Sequence, residues 1–244
     1  MGGSCNEKSG MRRFFIDKIE ETVSLVGEEF RHAANVLRIK KGDEVVLCDN
    51  TAYEYTAVAE EIGKNSAVLR VTGRNLCDKE AKTEVTLLCG YLKGDKTEYS
   101  VQKAVELGVK KIVVFRSEFC AAYMNENKLA RLNKVSAEAA KQCGRSVAPA
   151  VLYADDFASA LDMTDAENKL FACEFAGGST ADLRSLSGST AVVVGSEGGF
   201  SQREAALARE KGFSTVWLGK RILRADTAAV AVLSVVMWNL GELK

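Results

Sequence analysis

A short apolar run, Ala191–Val194, passes without a break into Gly195-Ser196-Glu197-Gly198-Gly199, and this junction restricts the fold more than any other stretch. Three consecutive valines predict a strand buried on both faces, as in parallel sheets. The glycines that follow allow positive φ and let a ligand approach the backbone closely. Ser201-Gln202-Arg203-Glu204 then supplies an S-x-x-E capping box that starts a helix. Strand, glycine loop and helix start, in that order, predict a ligand site, because ligands collect at the carboxyl ends of parallel strands. The same unit repeats as Ser214–Leu218, Gly219–Asp226 and Thr227–Leu240, so two adjacent loops are expected to wall one cleft.

Upstream, from Glu84, strands and helices alternate, which predicts a parallel α/β sheet. Strands are expected at Glu84–Cys89, Lys111–Phe115, Ala150–Tyr153, Lys169–Glu174, Ala191–Val194 and Ser214–Leu218. Helices are expected at Thr97–Leu107, Glu126–Cys143, Asp156–Leu161, Gln202–Lys211 and Thr227–Leu240, most of them stopped by a glycine. The last helix carries apolar residues all round, so it must be enclosed by its own domain or covered by a second subunit. A homodimer is the favoured reading.

The first third reads differently. Residues 1–10 resemble a disordered leader or an artificial addition, with Met11 as the natural start. Short strands are expected at Arg12–Ile16, Glu44–Cys48, Glu54–Ala59 and Ala67–Val71, with one helix at Glu28–Arg38. That pattern predicts a small β-barrel-like domain over residues 11–78, a polar linker at Arg74–Lys82, and a second domain over residues 79–244.

Net charge is zero, which announces no polyanionic partner, but the distribution is uneven. Arg31–Lys41 carries four basic residues and no acid, and Lys64, Arg70 and Arg74 follow with no acid between them, a stripe suited to phosphates or simply to solvent. The seven cysteines are scattered without a C-x-x-C pair and there is a single histidine, so no metal site is expected. Their odd number points to reduced thiols in a cytoplasm. The longest apolar stretch, Ala228–Trp238, is shorter than the roughly 18 residues of a membrane span, so no membrane partner is expected.

Several familiar chemistries fail on spacing. Lys93-Gly94-Asp95-Lys96-Thr97 breaks the Gly-Lys pair of a phosphate-binding Walker loop, and no G-x-G-x-x-G follows a strand. Ser196 lacks the G-x-S-x-G of a serine hydrolase, and His32 lies in the other domain. What remains is a glycine-rich cleft edged by Glu197, Arg224, Asp226 and Thr227.

These residues resemble a family. GSEGGFSQRE at Gly195 is similar to GPEGGFS-x-x-E, and LGKRILRADTA at Leu218 to LG-x-RILR-x-ETA, both motifs of the SPOUT superfamily of RNA methyltransferases. MRRFFI at Met11, HAANVLRIKKGDEV at His32, KGDKTEYSVQKAVELGV at Lys93 and KQCGRS at Lys141 narrow the resemblance to the RsmE family, which methylates N3 of a uridine in bacterial 16S ribosomal RNA. The resemblance runs from Met11 to the C-terminus. It departs at Ser196 for the usual proline, expected to loosen the loop slightly, at Ala225 for threonine, and at Asp226 for glutamate.

The resemblance implies a C-terminal SPOUT domain with a trefoil knot, a PUA-like N-terminal domain, and a homodimer. It also implies S-adenosylmethionine as cofactor, and 16S ribosomal RNA or the small ribosomal subunit as partner. The cofactor pocket would be lined by Ala172, Cys173, Glu174, Gly195, Ser196, Glu197, Gly198, Gly199, Leu218, Gly219, Ile222 and Leu223. Arg224 would stabilise charge on the uracil oxygens, with Asp226 or Glu197 as base. Arg12, Arg13, Arg31, Arg38, Lys40 and Lys41 would grip the RNA backbone. Other SPOUT reactions, on ribose 2′-O or guanine N1, and an inactive RNA-binding assembly factor stay open as alternatives.

Overall fold

In the computed structural model, which describes residues 12–120, 123–173 and 181–244, the chain forms two units. The first runs up to Glu80 and takes in Lys141–Ala148; the second comprises Ala81–Ala140 and Pro149–Lys244. The predicted leader at residues 1–10 lies outside the described residues.

The first unit is built from β1 (Arg13–Phe15), β2 (Thr22–Val26), the single-turn helix α1 (Gly27–Arg31), β3 (Glu44–Cys48), β4 (Tyr53–Ile62) and β5 (Ser66–Leu76). Its five strands lie in the order β1-β3-β4-β5-β2, with β1 parallel to β3 and the rest antiparallel. Inward residues Phe14, Leu25, Leu47, Ala57 and Leu69 are buried in its core with Phe30 of α1. Each large side chain so buried contributes about 1.5–3 kcal/mol.

Three expectations need correction here. The helix expected over Glu28–Arg38 is α1 followed by a π-turn, His32–Val36, in which Leu37 N–H donates to His32 O across 3.0 Å. Arg38 lies beyond it at φ +51°, in the left-handed region. Thr22–Val26 is a strand the reading passed over, although it buries Val23 and Leu25 on one face in strict alternation. Finally, the start of the expected linker is strand: β5 continues to Leu76, and the Arg74 guanidinium stacks 3.7 Å from the centre of the Tyr53 ring on β4. That cation–π contact, together with the cross-strand pairing, extends the hairpin through polar sequence.

Lys141–Ala148 joins this unit through a buried ion pair. Arg145, with 2% of its side chain exposed, meets Glu80 at 2.9 Å. The other Glu80 oxygen accepts the Ser146 and Val147 N–H groups at 3.0 Å each.

The second unit holds β6 (Val85–Gly90), α2 (Lys96–Glu106), β7 (Lys111–Phe115), α3 (Glu126–Cys143), β8 (Val151–Ala154), α4 (Phe157–Asp162), β9 (Asn168–Ala172), β10 (Thr190–Val194), α5 (Gln202–Glu210), β11 (Ser214–Val216) and α6 (Ala225–Asn239). The last turns of α3 fall in the segment assigned to the first unit. The sheet is wholly parallel, in the order β11-β9-β10-β6-β7-β8. β6 and β10 are buried along their full length, as their valine- and leucine-rich sequences require. From β6 the chain steps outward to β7, whereas from β10 it steps the other way, over β9 to β11. The β6/β10 boundary is therefore the switch point of the sheet.

The last helix, α6, buries Ala229, Val232, Leu233, Val236 and Met237 but leaves Val235 40% and Trp238 55% exposed. Its own unit covers only one side of it. No helix among the described residues is long and apolar enough to cross a membrane.

Candidate functional site

The glycine loop after β10 is held by its neighbours rather than by its own sequence. Phe200, at its end, is 4% exposed and packs in an aromatic cluster, with its ring centre 4.5 Å from that of Phe171 and 5.3 Å from that of Phe157. A Cβ on Gly195 would come within 2.8 Å of the Phe200 ring, so only glycine lets the chain leave the strand here. Gly199, at φ +68°, closes a turn by donating its N–H to Ser196 O at 2.9 Å. The predicted capping box is present: Ser201 Oγ accepts the Glu204 N–H, and Glu204 accepts the Ser201 N–H.

Two other loops lock against this one. From the loop after β7, Ser117 Oγ meets Ser196 Oγ at 2.9 Å in a buried hydrogen bond, and Glu118 N–H donates to Glu204 at 2.9 Å. A Cβ on Gly198 would lie 2.6 Å from Phe119 Cβ. Ser196, which stands in place of the usual proline, is thus tied by its hydroxyl to the loop after β7. From the loop after β6, the Glu197 carboxylate accepts the Lys93 N–H and meets the Lys96 ammonium, each at 3.1 Å. Burial works against the Glu197 charge and is the largest influence on it. The hydrogen bonds from its own backbone, from Lys96 and from Lys93 outweigh that and hold the carboxyl below its ordinary range.

The loops after β10 and β11, the end of β9 and Lys96 at the start of α2 line a cleft of about 840 Å³. It is lined by Ala172, Cys173, Gly195, Ser196, Glu197, Gly198, Gly199, Leu218, Gly219, Ile222, Leu223 and Arg224. The structure therefore brings those sequence-predicted residues together, while Asp226, the second residue of α6, lies outside the lining, where its carboxylate accepts the Thr227 N–H at 3.0 Å. Glu174 lies outside the described residues. Arg224, the residue immediately before α6, is exposed, and its guanidinium makes no hydrogen bond or ion pair among the described residues. Lys96 and Trp217 also line the cleft and were not singled out from sequence. Lys96 reaches the cleft because the loop Lys93–Asp95 leads into α2 directly after β6, which the fold sets beside β10.

The basic residues of the N-terminal unit divide into two groups. Arg12 is paired with Asp43, and Arg13, largely buried, binds Glu54 at 2.9 Å and Cys48 Sγ at 3.0 Å. Arg31, Arg38, Lys40 and Lys41 are exposed.

A glycine-walled crevice at the carboxyl ends of a parallel sheet, in a chain that also contains a small β unit, agrees with the family models that match. One, described as an RNA methyltransferase domain, matches residues 79–237, and another, described as an RNA methyltransferase PUA domain, matches residues 25–72. The class is that of the RNA methyltransferases with an appended PUA domain. Among its relatives, the ribosomal RNA small subunit methyltransferase E of Bacillus subtilis is 28% identical over 248 residues, covering 94% of this chain and 97% of the relative. That of Rickettsia conorii is 31% identical over 208 residues, covering 83% and 84%. The crystal structure of the Neisseria gonorrhoeae enzyme of that name, bound to S-adenosyl methionine, matches with a TM-score of 0.86 and 33% identity, covering 93% of this chain and 97% of that one. The chain belongs to the ribosomal RNA small subunit methyltransferase E family.

Proposed function

We propose that this protein is an S-adenosylmethionine-dependent methyltransferase acting on N3 of a uridine in 16S ribosomal RNA, either free or within the small subunit. The observation that carries the reading is the cleft at the carboxyl ends of β9, β10 and β11, walled by a glycine loop in which a Cβ at Gly195 or Gly198 would clash with Phe200 or Phe119. S-adenosylmethionine fits what is there. The volume lies within the range of about 300–1,000 Å³ usual for small-molecule sites, and backbone groups of Gly195–Gly199 and Leu218–Gly219 are available to a nucleoside and an amino-acid tail. Leu218 and Leu223 offer apolar contact for an adenine. When bound, this cofactor supplies an electrophilic methyl group.

The protein's own residues then have three tasks. Gly195–Gly199, fixed from three sides, hold the donor in one orientation, so that alignment supplies much of the rate. The unpaired Arg224 guanidinium stabilises negative charge that develops on the uracil carbonyl oxygens as N3 loses its proton. Of the two carboxylates considered as base, Glu197 lines the cleft but is engaged by Lys96 and Lys93, whereas Asp226 lies outside the lining and accepts the Thr227 N–H; both stay candidates for taking the proton. Because N3 lies on the pairing edge, the target uridine must be unpaired or flipped out.

The reading extends to a domain of residues 11–78 that grips RNA through its exposed cations, a catalytic domain of residues 79–244, the trefoil knot implied by the resemblance, and action in the cytoplasm. A homodimer is supported by Val235 and Trp238, which α6 leaves open to solvent. The test is transfer of labelled methyl groups to small subunits purified from a strain lacking the gene, with the modified atom identified by mass spectrometry of the digested RNA. Arg224→Ala is expected to cut turnover at least 100-fold while calorimetry shows little change in S-adenosylmethionine affinity. Equal loss of both moves Arg224 from the reaction to cofactor binding.

A further inference from the structure

We propose that a pocket in the N-terminal unit, formed by α1, the π-turn and the turn between β4 and β5, binds one nucleotide of single-stranded RNA. Its phosphate is held between Arg31 and Lys64, and its base lies over Phe30 between Asn35 and Asn65. The inference rests on the methyltransferase reading above and deepens it by naming where the first unit holds the substrate strand.

The pocket encloses about 350 Å³, enough for a nucleotide and too small for a helical segment. Two cations, Arg31 and Lys64, reach it from separate elements, and its lining contains no carboxylate. Neither cation makes a hydrogen bond or ion pair among the described residues, whereas Arg12, Arg13 and Arg70 of the same unit are each paired with an acid. Two like charges on one cavity repel each other, and a phosphodiester between them turns that repulsion into attraction. Phe30 is 6% exposed and forms an apolar floor, while the two amides at the mouth, Asn35 and Asn65, each present donors and an acceptor. That combination suits the face and edge of a base.

Backbone geometry explains why the pocket exists. α1 continues as a π-turn over His32–Val36, and Asn35 is exposed on it at the rim. Such turns are rare and concentrate at functional sites. On the opposite wall, Gly63 N–H donates to Ser66 O at 2.8 Å, and a Cβ on Gly63 would lie 3.2 Å from the same oxygen. The glycine keeps this turn tight and presents Lys64 and Asn65 at its tip.

The experiment uses the full chain and a fluorescently labelled single-stranded RNA of the target sequence, with binding followed by anisotropy across a salt series. Arg31→Glu combined with Lys64→Glu is expected to weaken binding about tenfold or more. It should also lower the slope of log affinity against log salt by about 0.7, the value for one single-strand phosphate contact. The KM for RNA should rise more than kcat falls, while S-adenosylmethionine affinity and the melting temperature stay unchanged. Lys64→Gln, a neutral change at an exposed turn, should give about half the slope effect and guards against misfolding of the double variant. Unchanged RNA affinity and slope in both folded variants, with wild-type methyl transfer intact, overturns the inference and leaves the proposed function standing. Stabilisation of the wild type by inorganic phosphate, with RNA binding unaffected by either variant, marks a free-anion site and equally overturns it. A wild-type protein that neither binds nor methylates the RNA removes the proposed function and this inference with it.

Discussion

Glu204 offers the sharpest test of how the site is held. Its side chain belongs to a residue 7% exposed, and its two oxygens accept two backbone N–H groups, Ser201 and Glu118, each at 2.9 Å. The first bond is half of the capping box of α5; the second ties the loop after β7 to the loop after β10. In Glu204→Ala both donors lose their acceptor. The Ser201 N–H is buried, so leaving it unpaired costs about 1–3 kcal/mol, whereas the half-buried Glu118 N–H can turn partly to water and costs about 1 kcal/mol. The sum is about 2–4 kcal/mol. Glu204→Gln keeps one acceptor oxygen but turns an NH2 group towards the other donor, so about half of that loss is expected. Urea titration should therefore rank wild type above Glu204→Gln and Glu204→Gln above Glu204→Ala, with midpoints shifting at constant slope. S-adenosylmethionine affinity should follow the same order, because the two loops that Glu204 joins hold the cleft wall. An alanine variant within about 0.5 kcal/mol of wild type would refute the reasoning, since that is the range of a surface substitution.

Other consequences can be checked independently. A Cβ at Gly90 would sit 2.5 Å from Ser196 N, backbone against side chain with no flexible end to yield, so Gly90→Ala should displace the glycine loop and weaken cofactor binding at least tenfold in calorimetry. The Glu197 carboxyl is held below its ordinary value of 4.5, so the unfolded chain binds the proton more readily than the folded one. The stability from its contacts is thus complete above pH 4.5 and is lost as pH falls through the lower folded value. The melting-temperature difference between wild type and Glu197→Gln should accordingly shrink at acid pH; a difference independent of pH contradicts the assignment. Burial pushes the Cys48 thiol up to about 11, against the opposing pull of Arg13, and burial together with the Glu197 and Asp226 charges pushes Cys89 up to about 12. At pH 8 both should resist a thiol reagent in the native protein and react only on unfolding, as read by mass spectrometry of the labelled peptides.

The second unit was more legible in sequence than the first, for a physical reason. Its strands are buried on both faces, so Val85–Gly90 and Thr190–Val194 stand out as unbroken apolar runs, and Gly108, Gly144, Gly212 and Gly241 mark helix ends at positive φ. The strands of the first unit bury one face only. Thr22–Val26 inserts just Val23 and Leu25, too few residues for alternation to rise above chance, and the polar end of β5 is held by partners on β4 that its own sequence does not announce. The π-turn leaves no mark that distinguishes it from an α-helix, because Phe30, Ala33, Ala34 and Leu37 fit either spacing. Site residues carried by the glycine loops were visible because backbone conformation demands glycine there. Lys96 escaped notice because its place depends on two strands distant in sequence lying side by side.

Ser196 shows how far local sequence can mislead about rigidity. A proline there fixes one torsion within the loop; serine gives up that constraint, and by local reasoning alone the loop should move more. In the folded chain the Ser196 side chain instead reaches Ser117 at 2.9 Å, where both residues are buried, at 5% and 2% exposure. A hydrogen bond shielded from water has little competition, and breaking it leaves two hydroxyls without partners. The constraint has moved from the backbone of one loop to a bond between two. It now depends on the loop after β7, the same loop that supplies Glu118 and packs Phe119 against Gly198. Cleft rigidity in this protein is therefore a property of three loops meeting at one sheet edge, and a change in any of them should be felt at the methyl donor.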